Sequence, residues 1–209
     1  MAEARKAPTS RKPEVVRARI LDAAEAEFVE VGYAAASTNR ILDRFGGSKP
    51  TMFRHFPTKR ALFEGVLTRI AGRWRERIDL ETIGGDSPVG WLADFTFRAA
   101  RWVLSESSLF LGRMAVAEGH EFPEGAELYR EIAADPVEAL LVERFNDWNA
   151  KGLMASRDPK RDAIAFLDLA LSGLVSRRLY RVIDDPDDNT LRDHARYVAA
   201  LFLDGRRPR

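Results

Sequence analysis

The chain's 209 residues are 45% apolar, enough to bury a core in one or two units, and their formal net charge is only +1. No run of about eighteen apolar residues could cross a bilayer, and no apolar leader opens the sequence. With no cysteine and only three scattered histidines, His55, His120 and His194, the expectation is a cytoplasmic protein with no metal, no cofactor and no disulfide.

The charge is unevenly placed. Residues 1–60 hold twelve Lys and Arg against seven Asp and Glu, a net +5, which leaves −4 for the rest. A basic end on a neutral-to-acidic body suits the binding of phosphate.

Residues 1–13 are polar, basic and proline-bearing, and are expected to form a disordered arm, either laid along a DNA groove or merely solubilising. A first helix is predicted from Glu14 to Val31, with Ile20, Leu21, Ala24, Phe28 and Val31 as its apolar stripe and Gly32 as a left-handed cap.

From Ala36 to Lys59 the sequence reads as two short helices across a glycine turn. Ser37 caps the first, Gly46 and Gly47 supply permissive backbone, and Ser48 caps the second, with Pro50 in its first turn. This is the pattern of a helix-turn-helix. The second helix opens without acidic residues and carries Lys49, Thr51, Phe53, Arg54 and His55. These residues, with Ser37, Asn39, Ser48 and Lys59, are the candidate DNA contacts. Lys, Ser and Thr suit phosphate, while Arg54, His55 and Asn39 suit base edges.

The segment from Arg19 to Phe63 resembles the N-terminal domain of the TetR family of bacterial transcriptional regulators. Gly32-Tyr33, Ser37, Ile41, Gly46, Ser48-Lys49, Thr51, Phe56-Pro57 and Lys59 all fall in the family's order. Ala36, Leu42, Phe45, Gly47, Pro50 and Phe53 depart from it. Ala36 and Phe53 each remove a hydroxyl that usually reaches phosphate, and Pro50 puts a ring where the family has glycine, so an altered operator preference is expected.

A long helix is predicted from Lys59 to about Leu80 as the connection to the body, followed by a break at Gly84-Gly85-Asp86-Ser87-Pro88. The helix from Pro88 to Leu104 sets Trp91, Phe95, Arg98 and Trp102 on one face. Further helices are predicted over Leu109–Glu118, Glu121–Ala134 and Asp135–Lys151. The segment from Asp158-Pro159 to Val182 is apolar nearly all round, with Asp168 and Ser172 the only polar residues between Ala163 and Val175.

Such a helix needs cover on several sides. With the last helix, Thr190 to Leu203, it is expected to meet its copy across a two-fold axis through Leu167, Leu171, Ser172, Gly173, Leu174, Val198, Leu201 and Phe202. The run from Ala115 to Glu124, the Asn-Ala-Lys-Gly-Leu near residue 151 and Asp158-Pro159 also resemble a C-terminal domain found in the TetR family.

The resemblance implies an all-α fold with a basic arm over 1–13, a three-helix DNA-binding domain over 14–58 and a helical effector-binding and dimerisation domain over 59–209. It also implies a pocket for a small apolar effector. Trp74, Trp91, Phe95, Arg98, Trp102, Met114, Glu118, Phe145, Phe166 and Asp168 are the candidate lining, although aromatic residues at helical spacing equally serve as plain core. Asp168 stands out, because a buried carboxylate needs a partner.

The function so implied is a dimeric, ligand-released repressor of an inverted-repeat operator. The alternatives are an activator with the same head, or a small-molecule-binding protein of the same fold with weakened DNA recognition. An enzyme is not expected, since nothing in the sequence orients Glu118 and His120 for catalysis.

Overall fold

The computed structural model describes residues 13–77, 83, 87–118, 127 and 130–205, excluding the side chains of 71, 74–77, 111, 114–118, 132 and 133. Every regular element among these residues is helical. The chain divides into two compact units, Met1–Val66 and Leu67–Arg209.

The first unit contains α1 (Pro13–Ala35), α2 (Thr38–Phe45), α3 (Lys49–His55) and the opening turns of α4 (Lys59–Arg77). Its core is Ile20, Leu21, Phe28, Ile41, Met52, Leu62 and Phe63 with their neighbours, all buried. The division falls inside α4 because its first two turns belong to this core: Phe63 meets Phe28 edge-on at 5.3 Å and Tyr33 at 4.7 Å.

Gly32 departs from its expected cap. Its φ of 81° is positive, but a ψ of 169° lies outside the left-handed helical region, in backbone that essentially only glycine adopts. The helix therefore kinks there and resumes through Ala35, which brings the Tyr33 ring to 5.8 Å from Phe28.

The second unit holds α5 (Pro88–Val103), α6 (Glu106–Glu118) and, after a π-helical turn at Arg130–Ala134, α7 (Asp135–Ala150). Next come α8 (Pro159–Leu167), a second π turn (Asp168–Ser172), α9 (Gly173–Leu179) and α10 (Asp188–Asp204). Local chemistry sets the starts of three of these helices. Ser87 accepts from Gly90 N–H, Asp158 from Arg161 N–H and Asp187 from Thr190 N–H, each side chain satisfying a donor that the helix itself cannot.

The predicted continuous helix to Val182 is thus broken by a π turn and ends three residues early, at Leu179. Most of the expected helix over Glu121–Ala134 lies outside the described residues.

The centre of this unit is aromatic. Trp91 stacks on Phe95 at 5.5 Å, Phe145 on Trp148 at 5.8 Å and Phe145 on Phe202 at 5.6 Å, while Phe166 meets Phe202 at 5.0 Å. A second cluster, Ala100, Leu104 and Leu191, packs with Phe97, Val103, Leu171 and Leu174.

Candidate nucleic-acid interface and apolar cleft

The turn between α2 and α3 is built from its caps. Ser37 Oγ accepts from Asn39 N–H at 3.3 Å and opens α2; Gly46, at φ 66° and ψ 30°, closes it with its N–H on Leu42 O. Ser48 Oγ accepts from Thr51 N–H at 3.3 Å and lies 2.8 Å from the Thr51 hydroxyl. Gly47 serves a different need from the one expected: a Cβ there would stand 2.1 Å from Phe45 Cε1, so the residue is small to make room for a buried ring.

Met52 anchors α3 and is fully buried, which turns the remaining residues of the helix outward. Lys49 and Arg54 are exposed, and Thr51, Phe53 and His55 half-buried. The Lys49 ammonium sits 5.8 Å from the Phe53 ring centroid. Asn39 is exposed near the start of α2. Lys59 differs from the others: its Nζ donates to Ala34 O at 3.0 Å and lies 4.7 Å above the Tyr33 ring, so its ammonium is held within the unit.

A brace behind the turn escaped the sequence reading. Glu27, fully buried on α1, accepts from Ser37 N–H at 3.1 Å and from Arg40 Nε at 2.6 Å, and Arg44 Nε stands 3.3 Å from its other oxygen. Burial pushes the Glu27 carboxyl up, but the Ser37 N–H and the two guanidinium groups outweigh it and hold the group below its ordinary range. Arg44 also pairs with Glu30, and Arg19 Nη2 donates to Phe45 O at 3.0 Å, closing the end of α2. The signal was available: a charged residue three after Ala24 on the apolar stripe requires a buried partner.

In the second unit the candidate pocket residues separate. Trp91, Phe95, Phe145 and Phe166 are buried in the aromatic core and line none of the described cavities. Arg98 pairs with Asp94 at 3.0 Å one turn earlier on its own helix. The side chains of Trp74, Met114 and Glu118, and all of His120, lie outside the described residues.

Trp102 and Asp168 do meet in one cavity, an apolar cleft of about 560 Å³ walled by α5, α7, the second π turn and its flanking helices. Val137, Glu138, Ile164, Val175 and Leu179, none of them singled out in the sequence, share it with Leu167, Leu171 and Ser172. Asp168, at the start of the second π turn, is exposed, contrary to the buried carboxylate expected of it, and takes its hydrogen bond from Ser172 Oγ on its own turn.

The candidate dimer residues also divide. Val198 and Phe202 are buried within the protomer, Phe202 between Phe145 and Phe166, and Leu171 and Leu174 pack on the cluster around Leu191. Leu167 and Leu171 line the cleft. Ser172 and Gly173 are exposed, and Leu201 keeps 48% of its surface, as the apolar Leu169 and Tyr197 keep 42% and 68%.

Residues 20–66 match the family of bacterial regulatory proteins named tetR, and residues 91–205, more than half of the chain, match the AefR-like transcriptional repressor C-terminal domain. The HTH-type transcriptional repressor SCO4008 of Streptomyces coelicolor is 27% identical over 203 residues, 93% of this chain and 98% of that protein. The HTH-type transcriptional activator FasR of Mycolicibacterium smegmatis is 45% identical over 53 residues; the match spans 25% of this chain and 24% of the activator. Among solved structures, the Flavonoid-responsive Regulator FrrA superposes with a TM-score of 0.77 at 21% identity, over 94% of this chain and 99% of its own, a likeness of fold.

Proposed function

This chain belongs to the TetR family of bacterial transcriptional regulators, and on that premise we propose that it is a repressor, dimeric on an inverted-repeat operator and released by a small molecule bound in its C-terminal unit. The observation that carries the reading is α3 itself. It is capped by Ser48, seated on Met52, set after an α2 that Glu27 braces from behind, and presents Lys49 and Arg54 to solvent with no acidic residue in its first turn.

Two such helices in a dimer would enter successive major grooves about one helical turn apart. Lys49, Ser48 and Thr51 would hold phosphate, Arg54, His55 and Asn39 would reach base edges, and Ser37 and Phe53 would close the contact. The outer face of α8 to α10, with Leu169, Ser172, Gly173, Tyr197 and Leu201, is the surface offered to a second copy. An effector in the apolar cleft would favour a conformation with poorly spaced heads. It would weaken repression by no more than its differential affinity for the two states. Repression rather than activation is favoured by the full-length likeness to a repressor, since the activator matches only the head.

The test is a titration of the full chain against DNA from upstream of its own gene, at two salt concentrations, beside a scrambled duplex and a Lys49→Ala/Arg54→Ala control. Saturable, salt-sensitive binding that the control loses supports the reading. Equal binding to both duplexes overturns it and leaves a small-molecule-binding protein of the same fold.

A further inference from the structure

We propose that Arg40, on α2, is a further phosphate-binding residue of the head, and that the buried Glu27 is the residue that positions it; this rests on the reading of α2 and α3 as a DNA-binding helix-turn-helix. The N–H donors of a guanidinium lie in one rigid plane. On its Nε side the Arg40 group is already held: Nε donates to Glu27 Oε1 at 2.6 Å, and Nη2 donates to Ala35 O at 3.0 Å. Nη1 and the second Nη2 proton, the outer edge of the fork, are left without a partner among the described residues, on a side chain that is 52% exposed. Two coplanar N–H groups match two oxygens of a phosphate.

The place fits the same partner. Glu27 Oε1 also accepts from the Ser37 N–H at 3.1 Å, so the Arg40 fork and the backbone of a candidate DNA contact meet on one oxygen atom. The first helix of a helix-turn-helix crosses the phosphate backbone while the second enters the groove. A donor beside the start of α2 therefore addresses phosphate in preference to a base.

Glu27 supplies what the contact needs beyond charge. An exposed arginine loses rotamer freedom when it closes on a phosphate, and a guanidinium clamped beforehand loses less. Burial pushes the Glu27 carboxyl up, but the Ser37 N–H and the two guanidinium groups hold it below its ordinary range, so the clamp is ionised at neutral pH.

Arg44, one turn further along α2, is the internal contrast. Its Nε stands 3.3 Å from Glu27 Oε2 and its Nη2 donates to Glu30, so two carboxylates share in neutralising it. Arg40 is held by one carboxylate and one neutral carbonyl, and keeps charge to offer a ligand.

The test is a titration of the full-length protein on the upstream duplex and on a scrambled one, over a salt series, with thermal melts to show that each variant is folded. Arg40→Ala is expected to lower the slope of log affinity against log salt by about 0.9, the value of one phosphate, and to weaken binding roughly tenfold at low salt. Discrimination between the duplexes should stay as it is. Arg44→Ala should leave the slope unchanged. Arg40→Lys keeps the charge and loses the fork, so it should retain the slope and still bind more weakly than the parent. Glu27→Gln keeps an oxygen for the Ser37 N–H but unclamps the guanidinium; in that background Arg40→Ala should weaken binding by no more than about threefold.

The proposal is overturned if Arg40→Ala keeps the parent slope or loses discrimination along with affinity, or if Arg44→Ala lowers the slope as much. It is overturned equally if Arg40→Lys binds as the parent does, or if Arg40→Ala costs as much without Glu27 as with it. A parent that binds both duplexes alike, with the Arg40 slope change intact, upholds the phosphate contact and defeats the operator-specific reading. Specific binding whose salt slope Arg40→Ala does not alter does the reverse.

Discussion

Glu27 Oε1 and Arg40 Nε lie 2.6 Å apart across α1 and α2, with the Ser37 N–H on the same oxygen. Arg40 is half exposed, so the ion pair itself contributes little; the larger cost of losing Glu27 is the half-buried Ser37 N–H left without its acceptor. Glu27→Ala is expected to destabilise the N-terminal unit by about 1–3 kcal/mol, read from its urea midpoint.

The same carboxyl sets an acid limit. Its folded value lies below its unfolded one, so the native state binds fewer protons and the stabilisation is complete above the unfolded value. It is lost as pH falls through the folded value, below the ordinary carboxylate range. Glu27→Gln should flatten that limb of stability against pH; an unchanged slope would remove Glu27 from the account.

The two turn glycines should answer differently to alanine. Gly46→Ala forces a side chain into left-handed backbone, at φ 66°, for about 1 kcal/mol. Gly47→Ala drives its methyl into the Phe45 ring, which is buried and cannot swing into solvent cheaply. Phe45→Leu should therefore rescue part of the Gly47→Ala loss and none of the Gly46→Ala loss, as a double-mutant cycle in thermal melts would show.

Arg54 and Lys59 should separate in operator titrations. Arg54→Ala is expected to weaken binding, with a salt slope smaller by about 1 if the guanidinium neutralises a phosphate and an unchanged slope with relaxed specificity if it reads a base. Lys59→Ala removes a hydrogen bond to Ala34 O and a cation over Tyr33, so its effect should appear as about 1 kcal/mol of lost stability with the salt slope intact.

Neighbouring residues on α10 should divide folding from association. Phe202→Ala empties a site between Phe145 and Phe166 and should cost about 3–5 kcal/mol in denaturant. Leu201→Arg, on the exposed face, should leave stability within about 0.5 kcal/mol while shifting sedimentation from dimer to monomer.

The head was legible because its signals are local. Ser37, Gly46 and Ser48 act on backbone within three or four residues, so the caps could be placed by number. Glu27 was missed because its partners lie ten to seventeen residues on, and Gly47 was misread because the need for it comes from a side chain. The aromatic run on α5 gave helix and stripe correctly, but a stripe does not say what covers it. Trp91 and Phe95 went to the core, and Trp102, one turn on from Arg98, to the cleft. Asp168 was read as buried from its apolar neighbours, although Ile164 and Leu169 beside it also face outward.

The seating of α3 on Met52 has a redox consequence. Between residues 13 and 66 this is the only sulfur atom, in a chain without cysteine. Conversion of the thioether to its sulfoxide would place a polar group where α3 needs an apolar anchor. Full burial leaves oxidants to wait for the unit to open. Peroxide should therefore erase operator binding slowly, at a pace set by opening of the head, and bound operator should protect Met52 by keeping the head shut.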